Sequence, residues 1–162
     1  MVEPLYSRFA RLKLELPKKG QKGNALDEKL KLMEEVAKAY TSVLELKQGE
    51  WGIAALCQLG EAYRNLSDTL ITSPTPPELT AQQTQIYRAA LEDRAFPLKD
   101  RAAEALEQAL SKSYELGIYN QFTARAATLL AELRPKEYPA LAERLGTPEQ
   151  LTDIFHSADF RR

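Results

Sequence analysis

The chain has little of the material from which most catalytic and metal sites are built. Its 162 residues contain one cysteine and one histidine. A lone cysteine excludes an intrachain disulfide, and a lone histidine leaves little for a metal site or a histidine-paired nucleophile. We interpret Cys57 as a packing residue in an apolar helix face and His156 as a polar residue of a terminal helix. The sequence therefore predicts a protein that is not an enzyme, with no catalytic residue, cofactor or metal ligand.

Long apolar runs and a large excess of charge are also missing. No apolar stretch approaches the ~20 residues of a membrane-spanning helix, and "MVEPLYSRFARLKLEL" lacks the basic-then-apolar order of a signal peptide. The formal net charge is −1, which gives no reason to expect nucleic acid as the main partner. Residues 1–23 are the exception, because six basic residues stand there against two acidic ones, a net charge of +4. We interpret this N-terminal arm as a solvated terminus and keep docking to an anionic surface as the alternative.

Strand signals are missing as well, whereas helix signals follow one another closely. Alternating polarity bounded by turns does not occur, and apolar residues instead recur at spacings of three and four, as Leu56, Leu59 and Tyr63 do. The pattern predicts helices over residues 4–15, 25–47, 50–72, 78–95, 99–116, 121–134 and 137–145, and one more after Thr147. Pro97 either separates two of these helices or kinks one long helix. Short connections predict an all-α fold of stacked antiparallel helical hairpins, with about seven or eight helices.

Helix start signals divide the chain into three segments. Residues 1–23 are predicted to be a basic helix and loop, and residues 24–146 a helical core. Within this core, Thr75 and Glu78 have the capping-box spacing that would begin the helix at 78. After the core, the sequence "TPEQ" at residues 147–150 supplies a cap, a first-turn proline and a capping partner in order. Residues 147–162 are therefore predicted to be a C-terminal capping helix and tail. The apolar residues of this last segment that would turn inward are Leu151, Ile154 and Phe155.

The most specific pattern is the stretch "WGIAALCQLGEAYRNL", residues 51–66. Gly60 lies inside a predicted helix, where glycine costs about 1 kcal/mol relative to alanine. The usual compensation is the close approach of a neighbouring helix, with Leu59 and Tyr63 filling the groove beside it. We predict that these three residues pack consecutive helices together. Trp51 is predicted to pack its indole across the junction with the preceding helix, with an exposed anchor as the alternative.

Leu59, Gly60, Tyr63 and the later Pro74 match a known repeat signature. The order Leu-Gly-x-x-Tyr followed by a proline resembles a tetratricopeptide repeat. The similarity covers roughly residues 25–139. It extends to the C-terminal regions of tetratricopeptide-type proteins of the bacterial cell envelope, including myxobacterial ones linked to gliding motility.

This resemblance implies a non-catalytic scaffold or adaptor for protein–protein interaction. Stacked helix pairs of such repeats leave a groove that binds extended or helical segments of other proteins. The polar residues opposite the apolar stripe of the third predicted helix are expected to line it, unless they form a solvated helix face: Gln58, Glu61, Arg64 and Asn65.

The resemblance also implies a protein partner, assembly with other subunits or further repeats, and a place in a cell-envelope or periplasmic motility assembly. Nucleic acid is not the expected partner. The alternative function is a helical adaptor whose basic N-terminal arm binds an anionic surface, either nucleic acid or a membrane.

Overall fold

Five helices make up the described part of the protein, which comprises residues 3–14 and 25–139 of a computed structural model. Within these residues there is no strand, so the prediction of an all-α fold is confirmed. In chain order the helices are α1 (Glu3–Arg11), α2 (Ala25–Glu45), α3 (Gly49–Ile71), α4 (Ala81–Leu116) and α5 (Gln121–Leu133).

The number of helices differs from the expected seven or eight, since the described residues hold five. One reason is that the predicted helices 78–95 and 99–116 are a single helix, α4. Another is that a turn follows α5, so the predicted helix over 137–145 does not begin at residue 137. The rest of that segment and the helix expected after Thr147 lie outside the described residues.

Pro97 lies inside α4 without ending it, so the alternative of two separate helices is wrong. Because proline has no N–H, the carbonyl of Asp93 one turn earlier lacks its intrahelical donor. A hydrogen bond from the neighbouring helix supports this point of α4. The buried hydroxyl of Ser67 on α3 donates to the carbonyl oxygen of Ala95 at 3.1 Å. The two helices are thereby tied together beside the proline.

α4 begins later than the sequence indicates. Thr80 and Gln83 form its capping box: the Gln83 amide nitrogen donates to Thr80 Oγ1 at 3.3 Å, and the Thr80 amide nitrogen donates to Gln83 Oε1 at 2.9 Å. The capping box expected at Thr75 and Glu78 is therefore wrong. The reason is that a residue preceding proline avoids helical backbone angles, and the prolines at 76 and 77 extend this restriction past Thr75.

α3 is the central helix and contacts each of the other four. Its start lies against the end of α4, because Gly49 faces Leu116. It is antiparallel to α2 as well, since Leu44 near the end of α2 reaches Gly52 near the start of α3. Apolar side chains are buried around most of its circumference. α3 is therefore the element from which the positions of the other helices follow.

The close approach expected at Gly60 is present, and the neighbour is α4. A Cβ placed on Gly60 would lie 2.6 Å from Cγ of Leu106 and 3.1 Å from the carbonyl oxygen of Ala102. Leu106 is fully buried and occupies the space that a larger residue at position 60 would need. Leu59 and Tyr63 lie beside this contact, half-buried, and pack against the core cluster shared with α1 and α2.

A buried lysine holds α1 in place. Lys29 of α2 is 1% exposed, and its Nζ donates to the carbonyl oxygens of Leu12 at 2.8 Å and Phe9 at 3.3 Å. The same Nζ lies 4.7 Å from the centroid of the fully buried Phe9 ring. The carbonyls at a helix C-terminus lack intrahelical donors and attract positive charge. Because a helix as short as α1 is marginal alone, its helical form depends on tertiary contacts, of which this is one and the burial of Phe9 is another.

We expect Gly60→Ala to destabilise the protein. Alanine gains about 1 kcal/mol of helix propensity, but its Cβ would overlap Leu106, and overpacking of a core costs about 1–3 kcal/mol. The matched control is Gly52→Ala, whose Cβ would meet the flexible end of Lys112 at 3.3 Å and would lie at an ordinary contact distance of 3.8 Å from Leu44. Urea unfolding followed by far-UV circular dichroism should show a lower midpoint for Gly60→Ala alone. Equal midpoints for the two variants would contradict the close-approach assignment.

We also expect Lys29 to leave a mark on the pH dependence of stability. Burial lowers the pKa of Lys29 below its ordinary value of 10.5, so the unfolded chain keeps this proton to higher pH than the folded chain does. The free energy of unfolding of the native protein should therefore rise with pH, relative to Lys29→Met, between the lowered pKa and 10.5. Lys31→Met removes an exposed charge from the same helix and controls for net charge. The prediction would be refuted if the difference in the free energy of unfolding between the native protein and Lys29→Met did not change with pH.

Candidate functional site

A groove runs between α3 and α5, with α1 beside it. Two adjoining pockets of about 340 and 520 Å³ form the groove and share Glu61 of α3 and Arg125 of α5. The first pocket also reaches Tyr6 of α1. We call this surface the α3–α5 groove and define it by the polar and aromatic residues Gln58, Glu61, Arg64, Asn65, Gln121, Phe122, Arg125 and Glu132.

The four residues that the sequence predicts for a groove all lie in this one. Glu61, Arg64 and Asn65 line the first pocket, and Gln58 lines the second together with Glu61. Spacings of three and four place them on one face of α3. Each is half-buried, because α5 lies across from that face, so the face is not fully solvated. Their role in binding a partner stays a prediction.

The α5 side of the groove was missed by sequence reasoning. Gln121, Arg125 and Glu132 recur at helical spacing and so share one face of α5. A polar face of this kind is visible in the sequence, but the pattern does not say which other helix it opposes. Tyr6 was missed for the same reason, since α1 and α3 are far apart in the chain.

Ion pairs cross the groove and neutralise its arginines. Arg125 Nε lies 2.6 Å from Glu61 Oε1, and Arg64 Nη1 lies 2.5 Å from Glu132 Oε2. The hydrogen bond and charge of Glu61 raise the pKa of Arg125. Arg64 also approaches Asp68, at 3.6 Å. Both arginines that line the groove in the described structure thus have carboxylate partners, and the groove does not present an unpaired guanidinium to an anionic ligand.

Amide side chains supply the remaining polar surface of the groove. Gln58, Asn65 and Gln121 each carry both hydrogen-bond donors and an acceptor. The Asn65 Oδ1 atom is buried and makes no hydrogen bond within the described residues. An unpaired buried acceptor costs about 1–3 kcal/mol, so this oxygen would gain from an N–H donor if the Asn65 side chain turned it toward the groove. A polypeptide backbone offers donors and acceptors of the same kind.

Trp51 is an exposed residue of α3, with 63% of its surface accessible. The prediction that its indole packs across the junction with α2 is therefore wrong. Leu44 of α2 approaches α3 at Gly52 instead, at 3.8 Å from where a Cβ would lie. Because Trp51 precedes Gln58 by seven residues, about two helical turns, the two share a face of α3. Its exposure agrees with the alternative, and its role as an anchor stays a prediction.

Cys57 lies beneath the groove with 1% of its surface exposed. Burial, with a smaller contribution from Glu61, raises the pKa of its thiol to about 12. The thiol is therefore protonated near neutral pH and acts in packing. The described residues hold no cluster of His, Cys, Asp and Glu that could bind a metal ion. His156 lies outside those residues.

In the part of the chain that the structure describes, no helix combines the length and the apolar composition needed to cross a membrane.

We expect the Cys57 thiol to be almost inert in the folded protein. At mildly alkaline pH, iodoacetamide should modify the folded chain at least about a hundredfold more slowly than the same chain in urea, because burial suppresses both the thiolate and its access. Mass spectrometry of the alkylated protein measures the two rates. Comparable rates would mean that the thiol is open to solvent, contrary to this packing.

Comparison of the chain with protein-family models, with curated proteins and with solved structures gives no match. The likeness to tetratricopeptide repeats therefore stays a prediction from the sequence.

Proposed function

We propose that the chain is a non-catalytic scaffold that binds an extended segment of another protein in the α3–α5 groove. The observation that carries the proposal is the row of amide side chains along the groove, one of which, Asn65, has a buried and unpaired oxygen. Extended peptides are commonly held through main-chain hydrogen bonds, with side-chain pockets adding specificity.

The groove and the exposed Trp51 on the same face of α3 together have a length that suits a short peptide. Gln58 and Asn65 lie seven residues apart on α3, about 10 Å along the helix, and Trp51 lies about 10 Å before Gln58. An extended chain rises about 3.3 Å per residue, so the length from Trp51 to Asn65 matches about six peptide residues. Trp51 and Phe122 would contact apolar side chains, and the amides would pair with the backbone.

The charge pattern indicates how such a partner is recognised. The groove's arginines are already paired with Glu61 and Glu132, so a bound segment gains little from carrying charge. Exposed ion pairs of this type contribute about 0–1 kcal/mol. Binding should then depend on amide contacts and apolar anchors, and only weakly on ionic strength.

The finer parts of the proposal rest on the sequence resemblance. These are the tetratricopeptide-like stacking of degenerate helix pairs, assembly with further repeats or subunits, and a place in a bacterial cell-envelope or motility assembly. The packing of α3 against α2 and α4 supports a stack of antiparallel helices as its architectural basis.

The alternative function uses the basic N-terminal arm on nucleic acid or a membrane. In its favour, Arg8 and Arg11 are exposed and line an open depression on α1. Against it, Arg8 already pairs with Glu28 at 3.2 Å, and Lys18, Lys19 and Lys22 lie outside the described residues. Binding to phosphates weakens steeply with salt, which separates the two functions.

The proposal can be tested with peptides that bind the full chain and are selected from a random display library. Asn65→Ala and Gln58→Ala should each weaken binding of a fluorescently labelled peptide about tenfold, because each removes a hydrogen bond to its backbone. Gln85→Ala, an exposed amide on α4, is the matched control and should leave affinity unchanged. Fluorescence anisotropy at low and high salt measures the affinities.

Two outcomes would count against the groove. If Asn65→Ala and Gln58→Ala leave the affinity of the selected peptides unchanged, the peptides bind elsewhere. Loss of binding in Arg8→Ala or Arg11→Ala together with a steep salt dependence would favour the anionic-surface alternative.

A further inference from the structure

α4 is much longer than the helix that packs on its outer side. With 36 residues it extends about 54 Å, whereas the 13 residues of α5 cover about 20 Å. α5 lies on the C-terminal half of α4, where Ala103, Leu106 and Leu110 join its core cluster. Among the described helices, only α3 and α5 make extended contact with α4. None of the described helices therefore covers the outer side of its N-terminal half.

The row of α4 residues that faces α5 continues into this uncovered half. Asp100 and Glu107 both pair with Arg134 at the end of α5, at 3.5 and 2.6 Å. Stepping back from Asp100 at helical spacings of four and three leads to Phe96, and then past Asp93 to Ala89 and Ile86. We call Ile86, Ala89 and Phe96 the α4 stripe.

The α4 stripe is exposed although it is apolar. Phe96 and Ile86 have 67% and 64% of their surface accessible, and Ala89 is exposed as well. The opposite side of the same helix segment is already used, since Leu91 and Ala95 are buried with Leu70 of α3. α3 thus covers one apolar side of this segment, and the α4 stripe is a second apolar row on the side away from α3.

The chain leaves α5 on the side of α4 that carries this stripe, beyond the stripe's Phe96 end. Arg134, the first residue after α5, is held on α4 by Asp100 and Glu107, and Tyr138 packs against the cluster that contains Leu106. Asp100 is about one helical turn from Phe96. Residues 140–162 thus continue on the same side of α4, from a point about 15 Å along the helix from Phe96.

We propose that the α4 stripe is the docking site for Leu151, Ile154 and Phe155 of the same chain. These residues have the i, i+3, i+4 spacing of an amphipathic face, and docking them would extend the existing α4–α5 interface along α4. Residues 140–150 can span up to about 36 Å, whereas the stripe from Phe96 to Ile86 is about 15 Å long. The proposal does not depend on the α3–α5 groove.

A tryptophan placed in the stripe tests this docking in the full chain. The only native tryptophan is Trp51, so Trp51→Phe with Phe96→Trp gives a single reporter at an exposed position. We expect blue-shifted emission and weak acrylamide quenching from this reporter. Adding Leu151→Ala, Ile154→Ala and Phe155→Ala should shift the emission to the red and increase quenching.

The control reporter is Trp51→Phe with Tyr119→Trp, because Tyr119 is equally exposed, at 67%, but lies beyond the other end of α4. Its emission should not respond to the three alanine changes. The proposal is overturned if the tryptophan at position 96 has solvent-exposed emission before the three alanine changes are made. It is also overturned if the emission from position 96 does not change when they are added. A response at both positions shows a general loosening, and a blue shift that grows with protein concentration shows a second copy on the stripe; either result overturns docking within one chain.

Discussion

The close approach of α3 and α4 at Gly60 is the contact on which the rest of the structure depends. With only a hydrogen at this position, Leu106 and the carbonyl of Ala102 can come within the radius that any side chain would occupy. Alanines make up five of the nine buried residues of α4, so small side chains maintain the short separation beyond Gly60. The contact extends along both helices, from Gly49 against Leu116 to Ser67 against Ala95.

This packing determines which side chains of α3 remain on the protein surface. α2 and α4 cover two sides of α3, and α5 covers part of a third, so the middle of α3 keeps only a half-buried strip with Gln58 and Asn65. Glutamate and arginine side chains from both walls pair across the strip, which leaves amides and aromatic rings as its unpaired surface. The groove is thus a consequence of how α3 is enclosed, and the amides that this enclosure leaves unpaired are the basis of the proposed peptide binding.

Differences in helix length determine the second surface. α5 ends while α4 continues, and Phe96 and Ile86 remain uncovered on the extension. Pro97 does not interrupt this long helix, because Ser67 bonds the carbonyl of Ala95 and Leu91 and Ala95 pack firmly on α3. The cost of a missing helical hydrogen bond, which a proline in a helix interior incurs, is offset by contacts that come from another helix.

Local spacing was enough to predict much of the fold. The helices expected over 25–47, 50–72 and 121–134 agree within two residues with α2, α3 and α5, because apolar periodicity and helix ends depend on near neighbours in the chain. Helix geometry alone also predicts that Gly60 has a close neighbour. It likewise places four polar residues on one face of α3: Gln58, Glu61, Arg64 and Asn65. The same reasoning could not find the α5 wall, because Glu61 and Arg125 are 64 positions apart.

What the sequence by itself determined is therefore the helices and the faces they carry. Only the tertiary structure decided that α4 is the helix against Gly60, that α5 closes the groove, that α4 continues through Pro97 and that Trp51 is exposed. The physical reason is that each of these outcomes is set by contacts between helices, where burial and hydrogen bonding from a distant segment outweigh local preference. Residues spaced three or four apart reveal which side of a helix is apolar, but not which other helix will cover it.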